Sequence, residues 1–185
     1  RQESIKFSDR EPAVLVVGGG QAGLAVATRL GQLEIETLVI DKHDRIGDNW
    51  RKRYHSLALH NQIHVNHLPY LPFPPTWPKY IPKDMLANWF ELYADVMQVN
   101  FWTGTELINA NYDGCLNHWV ATVRQNNNSE RILKPKHIIF ANGVSGIPYK
   151  PKLDGLCDFR GEVLHSEGFS NGVEWTGKRA AVLGT

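Results

Sequence analysis

At 185 residues, with 42% hydrophobic and 21% charged side chains, the chain is long enough to bury a core and suits one globular domain with room for an inserted segment. A net charge of +1 argues for neither a nucleic-acid nor an acidic-membrane partner, and no apolar run approaches a membrane span or opens the chain as a signal peptide. The two cysteines, Cys115 and Cys157, lie far apart with no C-x-x-C, which argues against a disulfide scaffold or a redox dithiol and leaves cytoplasmic as the expected location.

Residues Arg1 to Glu11 are polar and charged and read as a lead-in, either mobile or joined to something upstream. The stretch AVLVVGGGQAGLAVA follows. Ala13 to Val17 is an apolar run of the length of a buried parallel strand, and Gly18, Gly20 and Gly23 then give the G-x-G-x-x-G spacing. In a dinucleotide site the first glycine permits the tight turn and the second lets backbone approach a pyrophosphate. The third lets helix pack on strand, with Ala27 kept small for the same reason. Gln21 to Gln32 is expected to be a helix with Ala22, Val26 and Leu30 on its inner side, its free N–H groups facing phosphates. Glu36 to Asp41 is the second strand. It ends in a carboxylate 23 positions after Gly18, where both ribose hydroxyls of an adenosine can be accepted. A surface strand-end aspartate is the plainer alternative for Asp41, and a turn that binds nothing the plainer one for the glycines.

The segment Ile46 to Tyr54 is rich in groups that stack and hydrogen-bond, and Trp50 reads either as core filling or as a cofactor wall. His55, His60, His64 and His67 cluster, but without patterned acidic or cysteine partners, and with prolines following, they do not read as a metal site. The stretch HLPYLPFPPTWPKYIP is expected to be an extended loop held to the core by Leu71, Phe73, Trp77 and Tyr80. A ligand for a proline-recognition domain is the alternative. Asp84 is expected to cap a helix reaching about Gln98, with Leu86, Trp89, Phe90, Tyr93 and Met97 on one face. Glu106 to Tyr112, His118 to Gln125 and Arg131 to Leu133 then read as a β-meander, turning at Asp113-Gly114 and at an asparagine-rich turn. Lys136 to Ala141 is a further buried strand, with Gly143 admitting a ligand at its carboxyl end. Gly161 to Ser166 and Lys178 to Leu183 are expected to be short strands.

These segments resemble the flavin-containing monooxygenases in the wide sense that includes Baeyer–Villiger enzymes and the plant auxin-synthesis monooxygenases. VVGGGQAGLAVA is similar to the family's FAD-binding fingerprint, IDK to its ribose-binding strand end, and GDNWRKRYHSLALH to the segment lining the isoalloxazine. LPFPPTWPKYIPK is similar to its FPxxxPxY stretch and FANGVSGIPYKP to its A-T-G link, with Asn142 where threonine is usual. FRGEVLHSEGF, Phe159 to Phe169, follows F-x-G-x-x-x-H-x-x-x-[FYW], the most specific match, through Phe159, Gly161, His165 and Phe169. GKRAAVLGT looks like the first strand of the NADPH-binding unit and looks cut.

The resemblance implies an α/β fold: a three-layer, Rossmann-like FAD-binding domain with a parallel sheet and a β-meander, cut at the start of a second Rossmann unit. It divides the chain into a lead-in (1–11), an FAD-binding domain (12–150), a linker with the monooxygenase motif (151–176) and the opening strand of an NADPH-binding domain (177–185). FAD and NADPH are the implied cofactors. A small-molecule substrate and dioxygen are the implied partners, and a homo-oligomer stays open. The cofactor site is expected to draw on Gly18, Gly20, Gln21, Ala22, Gly23, Asp41, Lys42, Asn49, Trp50, Arg51, His60, Leu107, Ala141 and Gly143. The implied reaction is hydride transfer from NADPH to FAD, followed by oxygen transfer through a flavin (hydro)peroxide, with a dry pocket as the physical requirement. His60 stands where many animal-type members carry asparagine, as in the auxin-type members, and is the candidate catalytic hydrogen-bond donor. A reductase of the same architecture without oxygenation, and a non-catalytic FAD-binding fragment, are the alternatives. The 185 residues alone are expected to be inactive.

Overall fold

The computed structural model describes residues 7–144 and 146–184. Arg1 to Lys6 of the expected lead-in, Ser145 and Thr185 lie outside the described residues. The apolar run after Pro12 becomes β1 (Val14–Val17), which pairs in parallel with β2 (Thr37–Ile40) on one side and β7 (His137–Phe140) on the other. A two-residue strand, β3 (Phe101–Trp102), extends the sheet beyond β2, giving the order β3-β2-β1-β7. Helix α1 (Gln21–Gln32) makes the β1-to-β2 crossover. A short helix α2 (Asp48–Arg51), the proline-rich loop and α3 (Lys83–Val96) lead from β2 to β3. Between β3 and β7 lies an antiparallel meander of β4 (Thr105–Asp113), β5 (His118–Gln125) and β6 (Glu130–Leu133), bulged between Leu107 and Asn109.

Strand side chains alternate between faces, and here the alternation builds two cores. Val14, Val16, Val39 and Phe101 point to one face, where Leu24 and Ala27 of α1 and Leu86, Trp89, Phe90 and Tyr93 of α3 close over them. Leu15, Leu38, Ile40 and Trp102 point to the other and pack on Ala121, Val123 and Leu133 of the meander. The chain is therefore a three-layer α/β fold, helices on one side of the parallel sheet and the meander on the other.

Several local expectations are corrected. The buried stripe of α1 is Gly23, Leu24, Ala27 and Thr28; Val26 and Leu30 pack half-buried against the first core, as expected, whereas Ala22 is exposed. Close approach of helix to loop requires the small residues Gly23 and Ala27 on this stripe, beside the fully buried Leu24. Asp84 does not cap α3. The cap is Pro82, and Asp84 sits in the first turn, where its carboxylate accepts from Lys83 Nζ at 2.7 Å. Phe73 is buried and Leu71 and Trp77 pack on the first core, but Tyr80 is exposed. The lead-in joins the fold before Glu11, since Phe7 is buried in the second core and the Glu11 carboxylate accepts the Lys134 N–H at 2.6 Å. Residues 161–166 and 178–183 form no strand. A strand is defined by its ladder, and among the described residues no neighbour supplies one. The linker touches the body at Tyr54 and His55: the His55 N–H donates to Ser170 O at 2.8 Å, and the Tyr54 and Phe169 rings lie 5.9 Å apart. No helix among the described residues is long and apolar enough to cross a membrane.

Tyr93 ties α3 to the proline-rich loop, its buried hydroxyl donating to Pro69 O at 2.9 Å. Burial pushes this hydroxyl above the usual phenol range, and the neighbouring Thr28 hydroxyl offsets part of the rise. As pH rises through about 10, the ordinary phenol value, the unfolded chain releases this proton before the folded chain does, so stability falls in that window. A Tyr93→Phe variant is expected to lose about 1 kcal/mol at neutral pH through the missing hydrogen bond. It should also show a shallower alkaline loss than the parent, as measured by denaturant unfolding at a series of pH values.

Candidate nucleotide-binding site

Open parallel sheets bind ligands beyond the carboxyl ends of their strands, where the strand order reverses. Here that point is β1, whose two neighbours are reached in opposite directions. The loop after β1 (Gly18–Gly20), the end of β2 (Asp41) and the loop after β7 (Ala141–Gly143) meet there.

Steric geometry explains the glycines. Gly18 has φ +106°, and a Cβ there would stand 2.5 Å from the Ala141 carbonyl oxygen. A Cβ on Gly23 would collide with the Gly18 carbonyl, so helix and loop touch backbone to backbone. At Gly19, a position the fingerprint leaves free, a Cβ would enter the Phe101 ring. Gly20 faces outward instead: the point where its Cβ would stand is 3.2 Å from Asn49 Nδ2.

Donor accounting shows what the bend presents. The Gly18 N–H donates to Ile40 O at 2.8 Å and the Gly19 N–H to Asp41 Oδ2 at 2.7 Å. The first intrahelical bond of α1 runs from the Leu24 N–H to Gly20 O at 2.9 Å. The amides from Gly20 to Gly23 precede it and lack intrahelical acceptors, and Gly20 at the cap has no side chain to satisfy them. Partial positive charge and several N–H groups thus face the mouth, as an anion such as a pyrophosphate requires.

The structure brings Gly18, Gly20, Gln21, Ala22, Gly23, Asp41, Asn49, Ala141 and Gly143 to this end of the sheet. Asp41 is mostly buried, with 15% of its side-chain surface exposed. Trp50 on α2 packs against the first core. Arg51 spends its guanidinium on the protein: Nη1 donates to Ile46 O and Asp48, and Nη2 to Asn88 and Glu91. It braces α2 against α3, together with Arg45, whose guanidinium is held still further toward its charged form by the Glu91 carboxylate. Leu107 packs against the second core under the meander. Lys42 and His60 are exposed. His67 accepts the Phe73 N–H on Nδ1 at 2.9 Å, and among the described residues no three metal-ligating side chains stand together. Sequence reading missed Phe101 and His43. The imidazole of His43 lies 2.7 Å from Asp41, a contact between close neighbours in sequence that no motif spacing signals.

Fold and site define a Rossmann-type nucleotide-binding domain, and the family model for an NAD(P)-binding Rossmann-like domain matches residues 16–76. Indole-3-pyruvate monooxygenase YUCCA1 of Oryza sativa subsp. japonica is 30% identical over 174 residues, which are 94% of this chain and 42% of that protein. Probable indole-3-pyruvate monooxygenase YUCCA8 of Arabidopsis thaliana is likewise 30% identical, over 92% of this chain and 41% of its own length. The chain thus spans about two-fifths of the curated relatives it matches. Among solved structures, the flavin-containing monooxygenase of Stenotrophomonas maltophilia superposes with a TM-score of 0.77 at 23% identity, covering 90% of this chain and 48% of its own. OTEMO in complex with FAD and NADP gives 0.66 at 20% identity, over 89% of this chain and 32% of its own. Over about nine-tenths of its length the chain is thus similar in sequence to part of these monooxygenases and shares its fold with part of the solved flavin-containing ones.

A Gly18→Ala change forces a left-handed backbone on a residue with a Cβ and drives that Cβ against Ala141. The expected result is a loss of about 1–3 kcal/mol in stability and loss of nucleotide retention. Thermal unfolding and equilibrium dialysis of the full-length protein check both.

Proposed function

We propose that this chain is the FAD-binding part of an NADPH-dependent monooxygenase that places one oxygen atom of dioxygen into a small organic substrate. The observation that carries the reading is the bend after β1, where Gly18 and Gly23 bring backbone within contact of backbone and the amides from Gly20 to Gly23 are left open at the head of a twelve-residue helix. That cradle fits the pyrophosphate of a dinucleotide, and a residue with a side chain at Gly18 or Gly23 would close it. The names of the solved neighbours support a flavin as the occupant, and those of the sequence relatives a monooxygenase.

The chain's own residues would bind and orient. The open amides hold the two phosphates, Asp41 takes the adenosine ribose, and the backbone at Ala141 and Gly143 flanks the site. Asn49, placed over Gly20 by α2, and Trp50 beside it would line the flavin side. A flavin held there would supply the redox chemistry of an NADPH-dependent oxygenation, in which one atom of dioxygen goes to the substrate and the other to water. The protein must keep bulk water from the reacting edge. His60 is exposed in this part of the protein and follows Leu59, whose N–H is fixed to Ile81 O at 2.9 Å. There it would donate a hydrogen bond toward the reactive edge rather than act as an obligatory base.

The test uses the full-length protein. It should purify yellow, release FAD on heating, and consume NADPH and dioxygen in step with an oxygenated product when offered a panel of small organic acids, ketones and amines that includes indole-3-pyruvate. NADPH oxidation that yields only hydrogen peroxide with every substrate favours the reductase reading, and a yellow protein inert to NADPH favours a binding module. A His60→Ala change is expected to raise peroxide release per NADPH several-fold while slowing flavin reduction less than about twofold. Unchanged coupling would remove His60 from the reacting edge.

A further inference from the structure

Asp41 is the acidic group expected to take the adenosine ribose, and its surroundings limit how much of that ribose it can take. An ionised carboxylate has about four acceptor positions, two on each oxygen. In this structure Oδ1 accepts from the His43 N–H at 2.9 Å and from His43 Nδ1 at 2.7 Å, while Oδ2 accepts from the Gly19 N–H at 2.7 Å. Because a carboxylate only accepts, the Nδ1 of His43 carries the proton. Three of the four positions are filled by the protein, and the remaining one is on Oδ2.

The backbone of the aspartate is held as well. Its own N–H donates to Trp102 O at 3.0 Å, and its carbonyl accepts from the Thr105 N–H at 2.9 Å. His43 is fixed in turn, since its carbonyl accepts from the Gly104 N–H at 2.7 Å. With the backbone held on both sides, the three hydrogen bonds accepted from Gly19 and His43 orient the carboxylate.

We infer that His43 is a specificity-determining positioning residue: by occupying Oδ1 it restricts Asp41 to one of the two adenosine ribose hydroxyls, taken through Oδ2. The inference rests on the reading of the site as an FAD site. It departs from the expectation, drawn from the acidic strand end alone, that the carboxylate accepts both hydroxyls. His43 acts through Asp41 and need not touch the nucleotide.

The experiment titrates the full-length protein, freed of FAD, with FAD and with two analogues lacking the 2′ or the 3′ hydroxyl of the adenosine ribose, following flavin fluorescence. In the parent, one analogue is expected to bind within about twofold of FAD and the other about tenfold more weakly, the size of one lost hydrogen bond. His43→Ala opens a position on Oδ1, so both analogues should then lose about tenfold relative to FAD. His43→Asn returns an N–H donor near the place of Nδ1 and should restore the one-sided pattern. Equal penalties for the two analogues in the parent overturn the inference, whether or not the alanine variant folds. So does a one-sided pattern that survives His43→Ala. A parent that binds FAD with either result leaves the flavin reading standing, whereas a parent that takes up none of the three ligands overturns that reading and the inference with it.

Discussion

The Gly19 N–H and the Asp41 carboxylate, 22 residues apart in sequence and 2.7 Å apart in space, hold the nucleotide end of the sheet together. A hydrogen bond to a charged acceptor is stronger than a neutral one, and this one sits where β1 and β2 both run out. The Gly18 N–H on Ile40 O holds the first residue of the bend, and this bond holds the second. With it, the amide at the centre of the bend is committed to the protein, and the donors left open are those that follow, at the start of α1. The carboxylate thereby sets which amides face a ligand and which do not. Phe101 acts on the same residue sterically: its ring fills the space in which a Gly19 side chain would stand, so the bend lies flat on the sheet.

The meander belongs to the same construction. Its first residue, Thr105, donates its N–H to the Asp41 carbonyl, and Gly104 donates to His43 O. From the far turn of the hairpin, Asn126 Nδ2 donates to Asp44 Oδ1 at 2.5 Å. Trp102, under the Arg131 guanidinium at 5.3 Å, packs the sheet onto β6. An antiparallel layer that buries Leu15, Leu38 and Ile40 thus also clamps the segment from Asp41 to Asp44 by its backbone. Packing and site geometry are two consequences of one contact surface.

Much of this was legible in the sequence, because the strongest signals are those with a physical period. The apolar run of β1, the helix Gln21–Gln32 and the alternating β5 read at or near their observed bounds. Each carries enough residues for its pattern to repeat. Two elements were not legible for the same reason. Strand β3 has two residues and α2 four, too few for either period to show, and both exist because neighbours supply their partners. On α1 the expected inner side held for Val26 and Leu30, which pack on the first core, and failed for Ala22, which is exposed. The expected strands at 161–166 and 178–183 had the composition of strands but no ladder among the described residues. Of the site, the glycines and Asp41 were readable from spacing, whereas His43 and Phe101 were not: one is a local contact, the other a long-range one, and neither has a sequence signature.

Arg51 shows how a residue can belong to a binding segment and still face away from the ligand. The segment IGDNWRKRY is dense in polar and charged groups, yet Arg51, the first of its two arginines, is committed to four protein acceptors. Lys83 works from the other side. Its buried ammonium donates to Arg51 O at 2.9 Å and to Asp84, so a cation closes the carboxyl end of α2, where the helix dipole favours positive charge. A four-residue helix has almost no stability of its own, since the cost of nucleation is never recovered over so few hydrogen bonds. Its position must come from outside, and here two cations supply it, one bracing the helix along its side and one at its end. What that fixes is the height of Asn49 over Gly20 and the lie of Trp50 on the core. The charged residues therefore do the holding, while the Asn49 amide stands over Gly20 and the Trp50 indole lies against the first core.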